Sequence, residues 1–417
     1  MLKSRISYIL DYTNSQDMKK EIKPKVYIGM SGGVDSSVSA ALLKKQGFDV
    51  TGVFIKVWQP SWINCTWKED RLDAMRVAAK LEIPFVTLDL EKEYKEEVVD
   101  YMINEYKKGR TPNPDVMCNR YVKFGGFFDW AMKKGADYVA TGHYAQIYSG
   151  IKKVVLDSSD SEKKMETDSS GHALSRTRDV LVLDAFASPK CPSESVPSFS
   201  LVAGNDKNKD QTYFLWTLTQ EQLSKTLFPV GNIEKPEVRK LAKKFDLPNA
   251  DKKDSQGLCF IGKIDIKEFL LHYIDAKKGD VLSKNGEVIG EHDGAFFFTI
   301  GERHGFNIFK KTPNDEPYYV ISKDIDKNTI TVANKDMEGN LPNNTNKIQL
   351  KDVNWNQGSI EYGKKLKARA RYREVLQDIV INKNNEVLFD KPQSTISGGQ
   401  SLVVYDGEQC LGGGIIV

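Results

Sequence analysis

The chain has 417 residues, with 60 basic and 57 acidic side chains and a formal net charge of +3. A hydrophobic share of 40% is enough to build buried cores, and a typical size of about 150 residues per domain predicts two or three domains. The apolar runs are far shorter than the roughly 20 residues that cross a bilayer, so we expect no membrane partner and no membrane-spanning segment.

The cysteines indicate a reducing compartment. There are five of them, Cys65, Cys118, Cys191, Cys259 and Cys410, too few for a disulfide framework and without the CxxC spacing of a thiolate metal site. Residues 1–20 have neither the apolar core of a signal peptide nor the Arg-rich, acid-poor composition of a transit peptide. We therefore expect a cytoplasmic protein, with the mitochondrial matrix as the alternative.

The charges are unevenly distributed along the chain. Between Glu69 and Glu105 there are eleven acidic and five basic residues, whereas the segment from Lys364 to Arg373, called the basic strip below, has six basic residues and no acidic one. Such a strip is typical of a nucleic-acid footprint on a nearly neutral protein, or of a solvated face. Composition leaves both interpretations open.

Strands and helices alternate in the first part of the chain. The pattern predicts strands at 25–30, 49–57, 84–88 and 138–141, and helices at 36–46, 70–81, 94–106 and 124–134. After an N-terminal extension (1–23), this rhythm predicts an α/β domain over 24–250 with a doubly wound parallel sheet, whose ligands bind at the carboxyl ends of the strands.

The remainder is less regular. Residues 157–208 are polar and then Pro/Ser-rich, which predicts a flexible insertion in the first domain. From about residue 296, short alternating runs broken by turns predict an antiparallel C-terminal β-barrel (296–417), which leaves 251–295 as a small central domain.

The strongest local motif is Gly29-Met30-Ser31-Gly32-Gly33-Val34-Asp35-Ser36-Ser37, between the first strand and the first helix. Glycines allow close approach of the backbone to a ligand, and the N-terminus of the following helix favours an anion. A lysine in the Walker-A position is missing, so this is not the phosphate cradle of kinases and GTPases. A helix cap alone would also use Ser and Asp, but the spacing of SGG and DSS favours a nucleotide site.

Two cysteines lie in polar segments that we predict to be loops. Cys118 follows Asp115 by three residues in Gly109 to Asn119 (GRTPNPDVMCN), and Cys259 lies in Lys253 to Gly262 (KDSQGLCFIG). A single buried cysteine usually packs as a small apolar residue. Two in polar segments, in a chain with a nucleotide loop, favour catalysis.

Together these motifs resemble the PP-loop ATP pyrophosphatase superfamily and, within it, the tRNA-specific 2-thiouridylase (MnmA/TrmU) family. The resemblance covers residues 24–417 and includes ATGHY (140–144), KDQTYFL (209–215), FTIG (298–301) and CLGGG (410–414). It implies a PP-loop domain, a central tRNA-binding domain and a C-terminal β-barrel. Where the family usually has Gln after FTIG, this chain has Glu302, which leaves the contact at that position open.

The resemblance also implies an activity, the ATP-dependent 2-thiolation of the wobble uridine of tRNA. ATP, accompanied by Mg²⁺ and without a protein metal site, would adenylylate the uracil C2 oxygen. A cysteine persulfide would then deliver sulfur, giving 2-thiouridine, AMP and pyrophosphate. The implied partners are tRNA and a sulfur donor, either a cysteine desulfurase or a sulfur-relay protein.

Site residues follow from the resemblance, position by position. The implied ATP-binding residues are Gly29, Met30, Ser31, Gly32, Gly33, Val34, Asp35, Ser36, Ile55 and Gly142. Asn113, Pro114 and Asp115 would meet the uridine, with Asp115 as the acid/base. Cys259 would carry the persulfide, and Cys118 would be its partner nucleophile. The implied tRNA contacts are His143, Lys209, Asp210, Gln211, Arg371, Tyr372 and Gln400. Tyr144 or Tyr121 would stack on the uracil.

Two other functions stay open on the sequence. One is a PP-loop ligase that amidates its substrate with ammonia, although a glutaminase-like Cys-His pair is not evident. The other is a non-enzymatic RNA-binding protein, which the intact loop and the two cysteines disfavour. Cys65, Cys191 and Cys410 are interpreted as structural.

Overall fold

A computed structural model describes residues 23–63, 67–151, 197–254, 265–310, 312, 316–337, 339, 341–342 and 344–417. The predicted persulfide cysteine, Cys259, lies outside these residues, as do Cys65 and Cys191. The chain divides into two compact units, one formed by Met1–Tyr148 and Phe199–Val417 and the other by Ser149–Ser198. All the contacts given below are within the first unit.

The first domain is built on a parallel sheet, as predicted. Its strands are β1 (Lys25–Gly29), β2 (Asp49–Lys56), β3 (Phe85–Asp89), β4 (Tyr138–Ala140) and β7 (Thr226–Leu227), in the order β3-β2-β1-β4-β7. The chain runs outward from β1 to β3 and then returns to the other side of β1 with β4. The switch point therefore lies between β1 and β4, which is where ligands bind in open α/β sheets.

Helices cover both faces of this sheet. They are Val34–Lys45, Trp67–Lys80, Glu91–Tyr94 with the π-helical Lys95–Asp100 and Tyr101–Lys107, Pro114–Met117 with the π-helical Cys118–Phe127 and Phe128–Lys133, Gln220–Ser224 and Lys235–Lys244, with a 3₁₀ turn at Thr212–Phe214. Strand residues alternate between two buried clusters: Val53 and Ile55 belong to one, and Ile28 and Phe54 to the other. This confirms the doubly wound architecture.

The helix that carries Asp115 and Cys118 corrects one prediction. The GRTPNPDVMCN segment was predicted to be a loop, with a helix only from residue 124. The segments Pro114–Met117, Cys118–Phe127 and Phe128–Lys133 instead follow one another without a break, and we call them the cysteine helix. The local reason is a complete start signal, since Asn113 caps the helix and Pro114 occupies its first turn.

A second sheet lies in the middle of the chain, after the helix Ile266–Leu271. It consists of β8 (Gly279–Leu282), β9 (Val288–His292), β10 (Phe306–Ile308), β11 (Tyr319–Asp324) and β12 (Thr329–Ala333), in the order β10-β9-β8-β12-β11, with a 3₁₀ turn at Ala295–Phe297. The strands now seen as β10, β11 and β12 were predicted to belong to the barrel. They belong to this middle sheet because β12 pairs with β8, a long-range contact that alternation alone does not reveal.

The C-terminal barrel is antiparallel and closed, as predicted. Its strands are β13 (Thr345–Trp355), β14 (Lys365–Arg369), β15 (Gln377–Ile381), β16 (Glu386–Gln393), β17 (Ser401–Asp406) and β18 (Gln409–Ile416); β13 pairs with both β16 and β18, which closes the ring.

Two further strands, β5 (Ala145–Ile151) and β6 (Pro197–Ala203), extend the barrel sheet from β18. Residues 197–208, predicted to be part of the flexible insertion, therefore begin with a strand, and Leu201 of β6 pairs with Cys410 of β18. The segment forms a strand because it pairs with β18, which is distant in sequence, and its Ser/Pro-rich composition did not predict this pairing.

Candidate functional site

The predicted nucleotide loop lies at the switch point of the parallel sheet. Met30, Val34 and Ser36 are buried, and the helix Val34–Lys45 begins after the N-cap residue Gly33. Gly32 has a φ of +75°, and a Cβ atom on it would lie 2.3 Å from the backbone oxygen of Asp70. The loop is thus folded back tightly before a helix N-terminus, whose first N–H groups lack intrahelical partners and suit an anion.

The segment after β4 closes against this loop. A Cβ atom on Gly142 would lie only 2.7 Å from the backbone nitrogen of Ser36, so a larger residue does not fit there. The Tyr144 hydroxyl donates a hydrogen bond of 2.7 Å to Asp35 Oδ1. Gly29 packs toward Ile55, whose Cδ1 would be 3.9 Å from a Cβ atom at position 29. The structure therefore brings together all three parts of the predicted ATP set.

Tyr144 does not suit the stacking role suggested for it. It is 2% exposed, and burial followed by the nearby Asp35 carboxylate raises the pKa of its hydroxyl. A buried tyrosine that donates to a carboxylate is held in place by that hydrogen bond. The same hydrogen bond fixes Asp35 beside the nucleotide loop.

A network of charges that the sequence did not reveal surrounds Asp35. Lys235 Nζ lies 2.7 Å from Asp35 Oδ1 and 2.8 Å from Asp254 Oδ1, and its side chain is only 10% exposed. Asp254 also accepts from Lys209 at 2.7 Å and Arg239 at 2.7 Å. Burial opposes ionisation of Asp254, but hydrogen bonds from Lys209 and Lys235 outweigh it and lower its pKa to about 2.

Two other residues near the loop were also missed. Asn249 Nδ2 donates to Gly32 O at 2.8 Å and to Ser37 Oγ at 2.9 Å. Lys252 pairs with Asp70 and also with Asp73. They come from a segment some 200 residues along the chain, and a lone Asn or Lys carries no local signal of such a contact. Asp254 is the second residue of the second cysteine motif, and this was the available clue in the sequence.

The start of the cysteine helix holds the predicted uridine-binding residues. Asn113 Oδ1 accepts from the backbone nitrogen of Val116 at 3.3 Å, Pro114 follows it, and Asp115 lies in the first turn. Cys118 is fully buried. Asp115 and Cys118 are thus three residues apart on a helix, the spacing that places two side chains on one face.

His143 connects this helix to the nucleotide loop. Its Nδ1 is 2.7 Å from Thr141 Oγ1, and its Nε2 is 3.4 Å from Nζ of Lys123 on the cysteine helix. Burial and then the Lys123 charge hold the pKa of His143 well below its usual range, so the ring is neutral. Because an ammonium group only donates, Nε2 is assigned as the acceptor and Nδ1–H as the donor to Thr141.

The loop just before the cysteine helix touches both of the other domains. Thr111 Oγ1 is 3.1 Å from Thr299 Oγ1 in the FTIG motif, and the Thr111 backbone nitrogen donates to Gly398 O at 2.8 Å. In the same FTIG turn, Glu302 accepts from the Thr299 backbone nitrogen at 2.9 Å. Three segments far apart in sequence thus meet at Thr111, two residues before Asn113.

Each KDQ residue of the predicted tRNA set, Lys209, Asp210 and Gln211, has a side-chain partner within the protein. Asp210 is buried and pairs with Arg369 at 2.8 Å. Gln211 Oε1 accepts from the backbone nitrogen of Tyr144 at 3.0 Å. Together with the Lys209–Asp254 pair, these contacts tie the KDQ motif to the nucleotide loop and to the barrel. A role toward tRNA stays a prediction for these residues.

The predicted tRNA-binding residues of the barrel lie near the FTIG motif and the 3₁₀ turn Thr212–Phe214. Arg371 Nη2 donates to Ile300 O at 2.7 Å and to Thr395 O at 3.0 Å. The ring of Tyr372 is 4.6 Å from that of Phe214. The backbone oxygen of Gln400 accepts from Ile416 at 2.8 Å, and its side-chain Oε1 is buried without a hydrogen-bond partner in the described part of the chain.

The lysines of the basic strip each face a carboxylate. The pairs are Lys364–Asp406 at 2.7 Å, Lys365–Asp390 at 3.8 Å and Lys367–Asp378 at 2.9 Å. These acids come from other segments of the barrel, so the strip carries much less net charge than its sequence suggests.

Among the described residues, no group of three or more His, Cys, Asp or Glu side chains is arranged to hold a metal ion. Nor does that part of the chain contain a helix with the length and apolar character needed to cross a bilayer.

Curated relatives place the chain in a family. It is 42% identical over 409 residues to the tRNA-specific 2-thiouridylase MnmA of Pediococcus pentosaceus, covering 96% of both chains. It is also 42% identical over 399 residues to the protein of that name from Geobacillus thermodenitrificans, covering 94% of each. This chain belongs to the tRNA-specific 2-thiouridylase MnmA family.

Family models match in three consecutive parts. They are described as a tRNA methyl transferase HUP domain (24–263), a tRNA methyl transferase PRC-barrel domain (267–334) and an aminomethyltransferase β-barrel domain (345–416). A solved structure of NMN synthetase from Francisella tularensis is 15% identical, with a TM-score of 0.31 and coverage of 63% of this chain and 77% of that one. So weak a likeness carries no argument about function.

Proposed function

We propose that the protein is an ATP-dependent tRNA-uridine 2-sulfurtransferase. The observation that supports this most directly is the short connection between its two sites. Gly142 packs on the nucleotide loop at Ser36, and the next residue, His143, contacts Lys123 on the helix that carries Asp115 and Cys118. A base activated at the loop would therefore lie close to the cysteine helix. The names of the relatives support tRNA as the substrate.

The first step of the proposed reaction uses the nucleotide loop. The C2 oxygen of uracil is a poor leaving group, so it attacks the α-phosphorus of ATP and pyrophosphate leaves. The N–H groups at the start of the helix Val34–Lys45 would stabilise the phosphate charge, and Asp35 is held beside them by Lys235 and Tyr144. Mg²⁺ would arrive with the nucleotide and neutralise charge on its phosphates. The fixed Asp35 carboxylate offers the kind of oxygen ligand that this ion prefers.

The second step transfers sulfur. The terminal sulfur of a Cys259 persulfide attacks C2, AMP leaves, and base and enzyme are joined as Cys259–S–S–C2. The Cys118 thiolate then attacks Cys259 Sγ, the S–S bond breaks, and its electron pair goes to the sulfur on C2. The products are 2-thiouridine and a Cys118–Cys259 disulfide, which a dithiol reductant returns to two thiols. Asp115 would exchange a proton with the uracil.

The proposal includes the organisation of the chain. Residues 24–250 would form the PP-loop domain, the central domain following it would bind tRNA, and the C-terminal barrel would complete the tRNA surface. The pairing of β12 with β8 favours extending the central domain beyond residue 295, to about residue 333. The sulfur donor would be a cysteine desulfurase or a sulfur-relay protein.

The test combines the purified protein with ATP, tRNA, and a cysteine desulfurase with L-cysteine as the sulfur source. We expect 2-thiouridine by nucleoside mass spectrometry, with one AMP and one pyrophosphate per sulfur. Cys118→Ser and Cys259→Ser should each abolish thiolation, while Asp115→Ala should lower turnover more than tRNA affinity. Full activity in both cysteine variants would refute the persulfide mechanism.

Cys410→Ala is the matched control. Cys410 is also fully buried, but it lies on β18 of the barrel, where burial raises the pKa of its thiol to about 12. It should retain thiolation. Incorporation of ammonia would favour the amidating ligase, and tRNA binding without turnover would favour the RNA-binding alternative.

A further inference from the structure

Lys123 has no role in the mechanism so far, yet it lies between the two sites. It is half-buried on the cysteine helix, and its Nζ is 3.4 Å from His143 Nε2. A role for Lys123 in the chemistry of Cys118 rests on the proposed function, in which Cys118 is a nucleophile.

The environment of Cys118 opposes nucleophilic chemistry. Its side chain is fully buried in an apolar cluster that includes Val116, Val122 and Phe127. Apolar surroundings disfavour a charged thiolate relative to the neutral thiol. A buried cysteine that must attack a disulfide therefore needs a cation close by.

The winding of the helix places one lysine about a turn away from Cys118. The segment Cys118–Phe127 is π-helical, with hydrogen bonds between residues five apart, so residue 123 lies one turn along from residue 118. The guanidinium of Arg120, the other cation on this part of the helix, lies 5.1 Å above the ring of Tyr121.

The contact with His143 fixes the Lys123 ammonium group. Neutral His143 is anchored to Thr141 at 2.7 Å and presents Nε2 as an acceptor. It therefore holds the charge in place without neutralising it. In the described part of the chain, charged groups on the neighbouring elements include Asp115 and Arg120 on the same helix and, at the nucleotide loop, Asp35 with its partner Lys235.

We propose that Lys123 is a positioning residue for the sulfur step, whose ammonium group, held by neutral His143, stabilises the Cys118 thiolate. The Cys118 thiol loses its proton to water, and the thiolate attacks Cys259 Sγ as described above. The cation is required after adenylylation, not for it. Its loss therefore stalls the reaction at the Cys259–S–S–C2 adduct.

The experiment is a single turnover with full-length enzyme preloaded with persulfide by a cysteine desulfurase and L-cysteine. Lys123→Met should release pyrophosphate at the wild-type rate, but form free 2-thiouridine at least about tenfold more slowly. A tRNA–protein adduct that dithiothreitol cleaves should accumulate on a denaturing gel. Lys133→Met, an exposed lysine in the last turn of the same helix, is the matched control and should behave as wild type.

A second measurement reports directly on the ionisation of the Cys118 thiol. The pH profile of iodoacetamide alkylation at Cys118, followed by peptide mass spectrometry, should shift upward by at least about one pH unit in Lys123→Met. Lys123→Arg keeps the charge and should restore most of the rate. His143→Gln keeps an acceptor and should be milder than His143→Leu.

Several outcomes would overturn the inference. They are an unchanged alkylation profile, an equal loss of pyrophosphate release, or no adduct despite slow thiolation. If Lys123→Met does not fold, as judged by thermal unfolding, Lys123→Gln is subjected to the same tests. Wild-type enzyme that makes no 2-thiouridine would instead refute the proposed function, which keeps the two failures distinguishable.

Discussion

The nucleotide loop and the basic strip of the barrel are both conspicuous in the sequence, but they differ in how far their residues act as the sequence suggests. At the loop, Gly32, Gly142 and Asp35 converge on one helix N-terminus, and the surrounding charges hold that arrangement. At the strip, Lys364 and Lys367 are each paired with an acid of another strand or its end. A motif defined by backbone geometry can be interpreted locally, whereas a run of charge depends on partners that only the fold supplies.

The strongest test of this contrast is Gly32→Ala. A Cβ atom there would collide with the Asp70 carbonyl at 2.3 Å, and the loop must move to relieve the contact. We expect ATP-dependent pyrophosphate release to fall by at least about 100-fold, since misplaced binding groups are costly in catalysis.

Gly135→Ala is the matched control, because Gly135 has a φ of +79° but nothing within 4 Å of a Cβ position. It should cost about 1 kcal/mol of stability and leave the activity intact. Equal losses of pyrophosphate release in the two variants would show that the effect comes from backbone strain alone.

Within the strip, the largest effect on stability should come from Arg369, whose side chain is 12% exposed. Arg369→Met leaves the carboxylate of Asp210, whose side chain is 6% exposed, without its ion-pair partner, at a cost of about 3–5 kcal/mol. Urea unfolding measures this cost. The double variant Arg369→Met/Asp210→Asn should recover much of it; a double variant as unstable as the single one would show that the cost lies in packing.

An intermediate effect concerns the acid stability of the loop region. Asp254 has a pKa of about 2, below its ordinary value, so its contribution is complete above about pH 4 and is lost as the pH falls toward 2. Asp254→Asn should therefore be less stable than wild type at pH 6, and the difference should shrink at pH 3. Thermal unfolding at the two pH values decides this, and a constant difference would contradict it.

The smallest effect should come from replacing Lys364, Lys365 and Lys367 together by Ala. If all three contacted phosphates, the slope of log K for tRNA against log salt would fall by about 2–3. Because each lysine already faces an acid, we expect a change of less than about 1. A change near 3 would restore the interpretation of the strip as a tRNA footprint.

The parts of the fold that could be predicted are those in which neighbouring residues carry the signal. The strand ending at Gly29, the tight loop and the following helix are one continuous motif, and the doubly wound sheet follows from the alternation of strands and helices. The cysteine helix was also within reach, because Asn113 and Pro114 are a standard start signal. The prolines were interpreted as loop residues, although proline is favoured in a first helical turn.

What could not be predicted depends on contacts between distant segments. The strand β6 is ordered by β18, more than 200 residues away, and β12 joins the middle sheet through β8. Lys235 reaches Asp35 across 200 residues of sequence. A lone lysine at the start of a helix has no pattern that identifies its partner, so the network around the nucleotide loop was missed.

The contacts of Thr111 have a mechanical consequence. This residue is hydrogen-bonded to Thr299 of the FTIG motif in the middle domain and to Gly398 of the barrel domain, and Asn113, the helix cap, is two positions further on. A shift of either outer domain would thus reach the helix cap two residues away, at the start of the helix that carries Asp115 and Cys118. The position of the reacting groups therefore depends on the packing of all three domains. Thr111→Val removes the hydrogen bond to Thr299 and should slow turnover more than it weakens ATP binding in equilibrium measurements.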